Sequence, residues 1–482
     1  MDFDSITPKE KLCAQFVGKS LHEIPTPAAI IDVAIARKTC DEMVRVAHKL
    51  GFEFRPDVGC HKTTELTLLQ MGRDIGNIPE KTLAVSTIAE LEGLLPLFKA
   101  SERDQPIADL ITGQILYGVP LRVSEVPRLV ALYKELGISI FNVIVDNKQQ
   151  LLSLHEFTAA GLPWPKLFIG IDMGERWRYS GGVGARSDEL KDLVNYIISV
   201  EEKQPEALFR GFYCRTVQDP RSDDKAETEA LKLLHKEIFY VAEAAKFTRD
   251  VISKPKRSFI LSVGNTPAAN HIRTTFGGGN PALTSSGGNP ALTSDLVLIH
   301  GIHGILNTAK GEGLRVELHA DAYPFLDVRQ IWACARALGD DGKDKNTAIF
   351  SSIALTTLTE VTSVRPDGRS AIIAANPTIL GFPDQYWECY GYLSWWNMPG
   401  RKGVASPDGN RWQVNHLAGG DGVLEQYDVD DAEKLVVGQR VRIVPNQVSA
   451  VGQGLGRYFI VDSDRKGKED EVIDVWVRWK DY

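Results

Sequence analysis

Between residues 26 and 300 the chain alternates short apolar runs with amphipathic stretches, and this alternation limits its fold more than any other feature. Ala29-Ile30-Ile31-Asp32-Val33 reads as a strand and 34–50 as a helix. Strand 52–58 precedes helix 62–72, strand 83–86 helix 88–98, and strand 108–116 helix 121–136. Strand 139–146 precedes helix 147–160, strand 167–173 helix 187–202, and strand 207–214 helix 225–247, with strand 258–263 following. Units of this length pair their strands in parallel through right-handed crossovers. Roughly eight in succession point to a closed (β/α)8 barrel of the TIM type rather than an open sheet.

After about residue 310 the texture changes. β-rich runs at 314–319, 347–354, 370–374, 433–437, 440–444, 456–462 and 471–479 are separated by Gly, Pro and Asp-Gly turns. They predict a separate antiparallel β domain. The expected division is an N-terminal segment 1–25 packing on the β domain, a barrel over 26–308 and the β domain over 309–482. Trp387, Trp395, Trp396 and Trp412 cluster within 384–415 and read as packing residues. The repeat GGNPALTS at 278–285 and 287–294 reads as a duplicated surface loop, with a substrate lid as the alternative.

Composition excludes several classes. With 43% hydrophobic and 24% charged residues the chain is ordinary and globular, and a net charge of −8 with no long basic block argues against nucleic acid. The six Cys, at 13, 40, 60, 214, 334 and 389, form no CxxC pair, so neither a disulfide framework nor a structural zinc site is expected. The first 20 residues lack a signal-peptide core, and no run of 18 apolar residues occurs. A cytoplasmic protein with a small-molecule substrate is the expectation, with no membrane partner.

Residues Phe54-Arg55-Pro56-Asp57-Val58-Gly59-Cys60-His61-Lys62-Thr63-Thr64-Glu65 resemble the pyridoxal-phosphate (PLP) lysine motif R-P-H-x-K-T-H-K-T of the D-serine dehydratase and D-threonine aldolase family. Ile24-Pro25-Thr26-Pro27-Ala28 and Ile115-Leu116-Tyr117-Gly118-Val119-Pro120 are similar to further family segments. So are Ile171-Asp172-Met173-Gly174 with Arg178 (D-x-G-x-x-R) and Ser262-Val263-Gly264-Asn265-Thr266-Pro267 (the S-x-G-S-T-P phosphate loop). Glu317-Leu318-His319-Ala320-Asp321-Ala322-Tyr323 with Asp327 resembles E-x-H-A-G-x-Y…D, and Val444-Pro445-Asn446 resembles V-P-N-H-x-C. The resemblance implies a fold-type III architecture: an alanine-racemase-like barrel, a C-terminal β domain, a site at the barrel mouth, and a homodimer.

The departures from the motifs fall on chemistry-bearing positions. Gly59 aligns with the Schiff-base lysine and Asp57 with the motif's first His. Gln447 and Ser449 stand at the metal-binding His and Cys, and amide or hydroxyl groups bind zinc poorly. Gly211-Phe212-Tyr213-Cys214-Arg215-Thr216, on what counts as the seventh strand, lacks the family's histidines. Ala374-Ala375-Asn376 and Leu417-Ala418-Gly419-Gly420-Asp421-Gly422 depart likewise, and the neighbouring His416 reads as structural. Gly264, Asn265 and Thr266 persist, and backbone N–H groups at such a strand-to-helix turn form an anion site.

Three readings follow. The first is a cofactor-independent lyase, cyclase or addition enzyme of specialised metabolism. Asp57, Cys60, His61, Arg178, Tyr213, Arg215, Asp321 and Tyr323 would supply its acid–base and clamping groups. On this reading no cofactor is expected, zinc is disfavoured, and PLP would bind at most without a covalent bond. The second is a non-catalytic protein binding a phosphorylated or anionic ligand. The third is a PLP-dependent D-amino-acid lyase in which Lys62 replaces the missing lysine.

Overall fold

In the computed structural model, strands Glu53–Pro56, Leu83–Val85, Ile115–Pro120, Phe141–Val145, Lys166–Asp172, Phe209–Tyr213, Ile260–Val263 and Arg315–Ala320 form a parallel sheet, each from Ile115–Pro120 onward beside its predecessor. Arg315–Ala320 returns beside Glu53–Pro56, with Glu317 opposite Glu53. A bridge between Asp57 and Ala84, with the Val58 N–H donating to Ala84 O at 3.2 Å, draws the remaining seam together. The structure describes residues 8–73, 75, 82–101, 114–136, 141–174, 181–203, 208–216, 226–276, 290–328, 352–383, 389–394, 396, 412–426 and 434–479.

The local sequence explains these elements. Phe141–Val145 is buried at every position, as in a strand covered on both faces. Helix Asp188–Glu201 starts at Ser187, whose hydroxyl accepts from Leu190 N. It buries Leu190, Leu193, Val194 and Ile197, the helical i, i+3, i+4, i+7 spacing. Gly211 lets Phe209–Tyr213 approach Ile260–Val263 closely, since a Cβ there would lie 1.8 Å from Ile260 O.

One compact unit is Asp41–Tyr323; the other joins residues up to Cys40 with Pro324–Trp479. In the second, Ser370–Ile373, Asp421–Gln426, Trp412–Ala418, Gly391–Leu393, Arg440–Pro445 and Leu355–Val364 pair in that order, and Leu355–Val364 pairs again with Ser370–Ile373. Its core includes Ile373, Leu380, Trp412, Leu424 and Ile443. Helix Lys9–Phe16 adds Leu12 and Phe16 to a cluster with Phe459, Val461 and Val475. Trp396 and Trp412 are packing residues as expected: the Trp396 indole donates to Asp470 Oδ1 at 2.7 Å. Trp387, Trp395, Cys334 and the first GGNPALTS copy lie outside the described residues, whereas residues 290–294 of the second copy open helix Pro290–Gly311 and are not the loop expected there.

Two strands belong elsewhere than expected. Ala28–Asp32 does not open the barrel; it pairs antiparallel with Leu355–Leu358 and parallel with Tyr458–Val461. Arg315–Ala320 does not open the β domain but completes the barrel. The strand carrying Tyr213 is therefore sixth in the barrel, and the boundary falls after Tyr323 rather than at 308. The physical reason is that Ala28–Asp32 is buried throughout and Arg315–Ala320 nearly so, and a buried apolar run does not declare which sheet will pair with it.

Across the pairing of the first and last barrel strands lies a buried ion pair. Arg55 Nε and Nη2 donate to Glu317 Oε1 and Oε2 at 2.7 and 2.9 Å, and both side chains are essentially inaccessible. Arg55 Nη1 also donates to Leu83 O and Gln114 O. Truncating one partner leaves a buried charge unpaired, which costs about 3–5 kcal/mol. Arg55→Met is expected to lose that much in chemical denaturation, and Arg55→Met with Glu317→Leu to lose less than the single change. A double variant weaker than Arg55→Met would show that the charge is not what the pairing depends on.

Candidate active site

Asp57, Gly59, Cys60, Tyr213, Arg215, Gly264, Asn265, Thr266 and Asp321 lie at the C-terminal ends of barrel strands, where such barrels place their chemistry. The turn after Glu53–Pro56 is held at both ends. Asp57 N–H donates to Ala320 O at 2.8 Å, and the N–H groups of His61 and Lys62 reach back to Val58 O. Asp57 Oδ1 accepts from Gly59 N at 2.8 Å, while Asp321 Oδ1 accepts from Cys60 N at 2.9 Å.

Gly59 sits among carboxylates. A Cβ there would stand 3.1 Å from Asp57 Oδ1, 3.8 Å from Glu90 Oε1 and 4.0 Å from Asp321 Oδ1. Lys62, buried and with φ of 51°, places Nζ 3.2 Å from the same Glu90 Oε1. A lysine at positive φ is uncommon and belongs to the turn that aims it inward. Glu90 Oε2 accepts from Ser86 N at 2.6 Å, so one carboxylate caps helix Ile88–Ser101 and holds the lysine.

Burial pushes the Asp57 carboxyl well up, and the neighbouring Asp321 and Glu90 push it further; Arg215, 4.0 Å from Asp57 Oδ2, pulls it down. Asp321 is also raised, chiefly by burial. Burial lifts the Cys60 thiol, with Asp321 adding to it, so Cys60, placed among the candidate groups of the site, is held toward the protonated thiol. Tyr213 stacks on His319 at 4.6 Å between centroids. Burial raises the Tyr213 phenol, and burial followed by Arg215 and Arg55 holds His319 neutral. His319 Nδ1 hydrogen-bonds Ser262 Oγ at 3.2 Å, and its buried Nε2 has no hydrogen-bond partner.

His61, expected as a base, is a strut. Thr63 N–H donates to its Nδ1 at 3.0 Å, which puts the proton on Nε2, and Nε2 donates to Gln70 Oε1 at 2.9 Å. Gln70 in turn holds Asp57 O, so fully buried His61 fixes the turn instead of facing substrate. Tyr323, expected as an acid, is also fully buried, its ring edge against Phe54. Arg178 lies outside the described residues. Gln447 and Ser449 belong to the other compact unit, at the start of helix Val448–Leu455.

The anion loop keeps its shape. Gly264 has φ of +121°, and a Cβ there would lie 2.6 Å from Leu318 Cδ1, so only glycine fits. Asn265 Oδ1 caps the next helix, Thr266–Phe276, through Ala268 N, while its buried Nδ2 has no partner. Thr266 Oγ1 accepts from Asp321 N and Ala322 N. Sequence reasoning passed over Glu90, His319 and Glu237. The capping pattern Thr87-Ile88-Ala89-Glu90 could have flagged the first; nothing local marks Glu237 within its helix. A cavity of about 610 Å3 lined by Phe209, Lys254, Arg257, Phe259 and Arg315 opens at the opposite end of the strands and holds none of the predicted residues.

No protein-family model matches the chain. A D-serine dehydratase of Schizosaccharomyces pombe is 29% identical over 485 residues, spanning 98% of this chain and 96% of that protein. Over nearly its whole length the chain is similar to the D-serine dehydratases, which supports its resemblance to their fold-type III family. D-threo-3-hydroxyaspartate dehydratase from Delftia sp. HT23 superposes with a TM-score of 0.64 at 19% identity, over 96% of this chain and 100% of that one. An alanine racemase-like protein from Idiomarina loihiensis gives 0.64 at 19%, over 96% and 99%. At that identity these two show the alanine-racemase-like fold.

This similarity corrects one expectation. Near full-length similarity to a D-serine dehydratase, in a family that works through PLP, overturns the reading that needs no cofactor. The residues present fit that group. The unpartnered Asn265 Nδ2 at a helix N-terminus suits its phosphate, the Tyr213–His319 stack offers a ring face, and Lys62 brings an amine to the space beside Gly59.

The raised carboxyl of Asp57 carries a stability consequence. A group whose folded pKa lies above its unfolded value of about 3.9 stabilises the fold at acid pH, and that contribution is lost as pH rises toward the folded value. Asp57→Asn keeps the acceptor for Gly59 N and removes the charge. It is expected to raise stability at neutral pH by roughly 1 kcal/mol, with the gain vanishing toward pH 4. Thermal melts of both proteins across that range would read it; equal midpoints at pH 7 would refute it.

Proposed function

We propose that this protein is a PLP-dependent lyase of small D-amino acids bearing a polar β-substituent, with Lys62 rather than residue 59 supplying the amine. One observation carries the reading. Glu90 Oε1 lies 3.2 Å from Lys62 Nζ and 3.8 Å from where a side chain at 59 would begin, so an amine reaches the same space from three residues further on. When bound, PLP supplies an electron sink for negative charge at the substrate α-carbon. Asn265 Nδ2 and the first turn of Thr266–Phe276 would hold its phosphate.

The chain's own groups divide the remaining work. Lys62 Nζ takes the α-proton, with Glu90 holding it in place. Asp57, kept protonated by burial and by its neighbours, carries a proton for the departing β-substituent. Arg215, a half-buried cation beside Asp57, suits the substrate carboxylate. A homodimer belongs to the same reading and rests on the family resemblance.

Borohydride treatment of the PLP-loaded protein followed by peptide mass mapping tests the assignment. The expected result is a PLP adduct on Lys62, absent from Lys62→Ala. The same variant should release pyruvate from D-serine at least about a hundredfold more slowly. Stoichiometric PLP with no adduct on Lys62 would remove the amine from this reading.

A further inference from the structure

The phosphate loop is held by a residue that no motif contains. Glu237, in helix Ala226–Val251, is fully buried, and its two carboxylate oxygens face different strand ends. Oε2 accepts from Gly264 N at 2.7 Å, at the head of the loop. Oε1 accepts from Thr216 N at 2.7 Å and from the Thr216 hydroxyl, just beyond Tyr213 and Arg215. All three donors point at the carboxylate, an arrangement that a protonated carboxyl satisfies only in part. The loop's remaining donors, Asn265 Nδ2 and the first turn of the helix, stand next to a buried negative charge.

We propose that Glu237 is a positioning residue that couples occupancy of the phosphate loop to the uptake of one proton. The proposal rests on the phosphate placement argued above but not on the role of Lys62. An ionised Glu237 shapes the loop through Gly264 and repels a dianion on the adjoining donors; a protonated one does not repel it. Burial has already pushed its carboxyl up to about 7, against the pull of Thr216, Gly264 and Arg215. Tyr213 and Cys214 also face it from the end of Phe209–Tyr213, and Asp172 bears on the same Cys214. An anion on the loop raises the carboxyl further, so affinity falls as pH rises through about 7.

Pyridoxine 5′-phosphate is the probe, because it has the phosphate but no aldehyde to react with an amine. Its dissociation constant, followed by ring fluorescence from pH 6 to pH 8, is expected to rise about tenfold more in the natural protein than in Glu237→Gln. Pyridoxine without phosphate should show no such difference. Thr216→Val removes a donor that pulls the carboxyl down, so its pH dependence should move to higher pH; this variant decides the matter if Glu237→Gln fails to fold. Parallel pH profiles in the natural protein and the folded variants would overturn the proposal, as would no binding of the phosphate probe at any pH. Binding with the expected profile but no borohydride adduct would sink only the assignment of Lys62.

Discussion

The Arg55–Glu317 pair is the constraint on which the site depends. It joins the first barrel strand to the last, and Arg55 also reaches the backbone of the second strand and the residue preceding the third. Two turns leave from those strands: one carries Asp57, Gly59 and Lys62, the other Asp321. Because Ala320 O and Asp321 Oδ1 receive N–H groups of Asp57 and Cys60, the two turns share a geometry that the ion pair below them fixes. A barrel is stiff where strands pair along their length. Here the first strand meets the second through a single bridge at Asp57, so a guanidinium with four backbone and carboxylate acceptors does work that sheet pairing does elsewhere.

Above that pair the chemistry is decided by burial. Asp57, Glu90 and Asp321 crowd one point, with Lys62 and Arg215 as their cations. In water the carboxylates would all be ionised. Buried together, Asp57 and Asp321 are held toward the protonated form, so the site stores protons as well as charge. His319 is driven the other way and stays neutral. The same cause, loss of solvent, thus yields acids that keep their protons beside an imidazole that does not take one.

Much of this was legible in the sequence because it was written in local patterns. The strand–helix alternation fixed the barrel class, and the frames Arg55-Pro56, Gly264-Asn265-Thr266 and Glu317-Leu318-His319 located the strand ends that carry the site. What escaped was pairing between distant segments. Ala28–Asp32 and Arg315–Ala320 read as plausible members of either sheet, and both were assigned to the wrong one. His61 looked like a base because its partners, Thr63 and Gln70, become visible only when the turn is folded. Glu237 left no trace, since a glutamate within an amphipathic helix ordinarily faces solvent.

The barrel unit interrupts the other one: Ala28–Asp32 finds its partners only at Leu355–Leu358 and Tyr458–Val461. During synthesis at about 5–20 residues per second, that strand waits on the order of tens of seconds before its neighbours leave the ribosome. It waits as an apolar segment with both edges unpaired, the condition most open to association with other nascent chains. The barrel has all eight of its strands as soon as Ala320 emerges. The order of the genetic message therefore favours completing the barrel unit first, and leaves Ala28–Asp32 as a custody problem for the cell's chaperones.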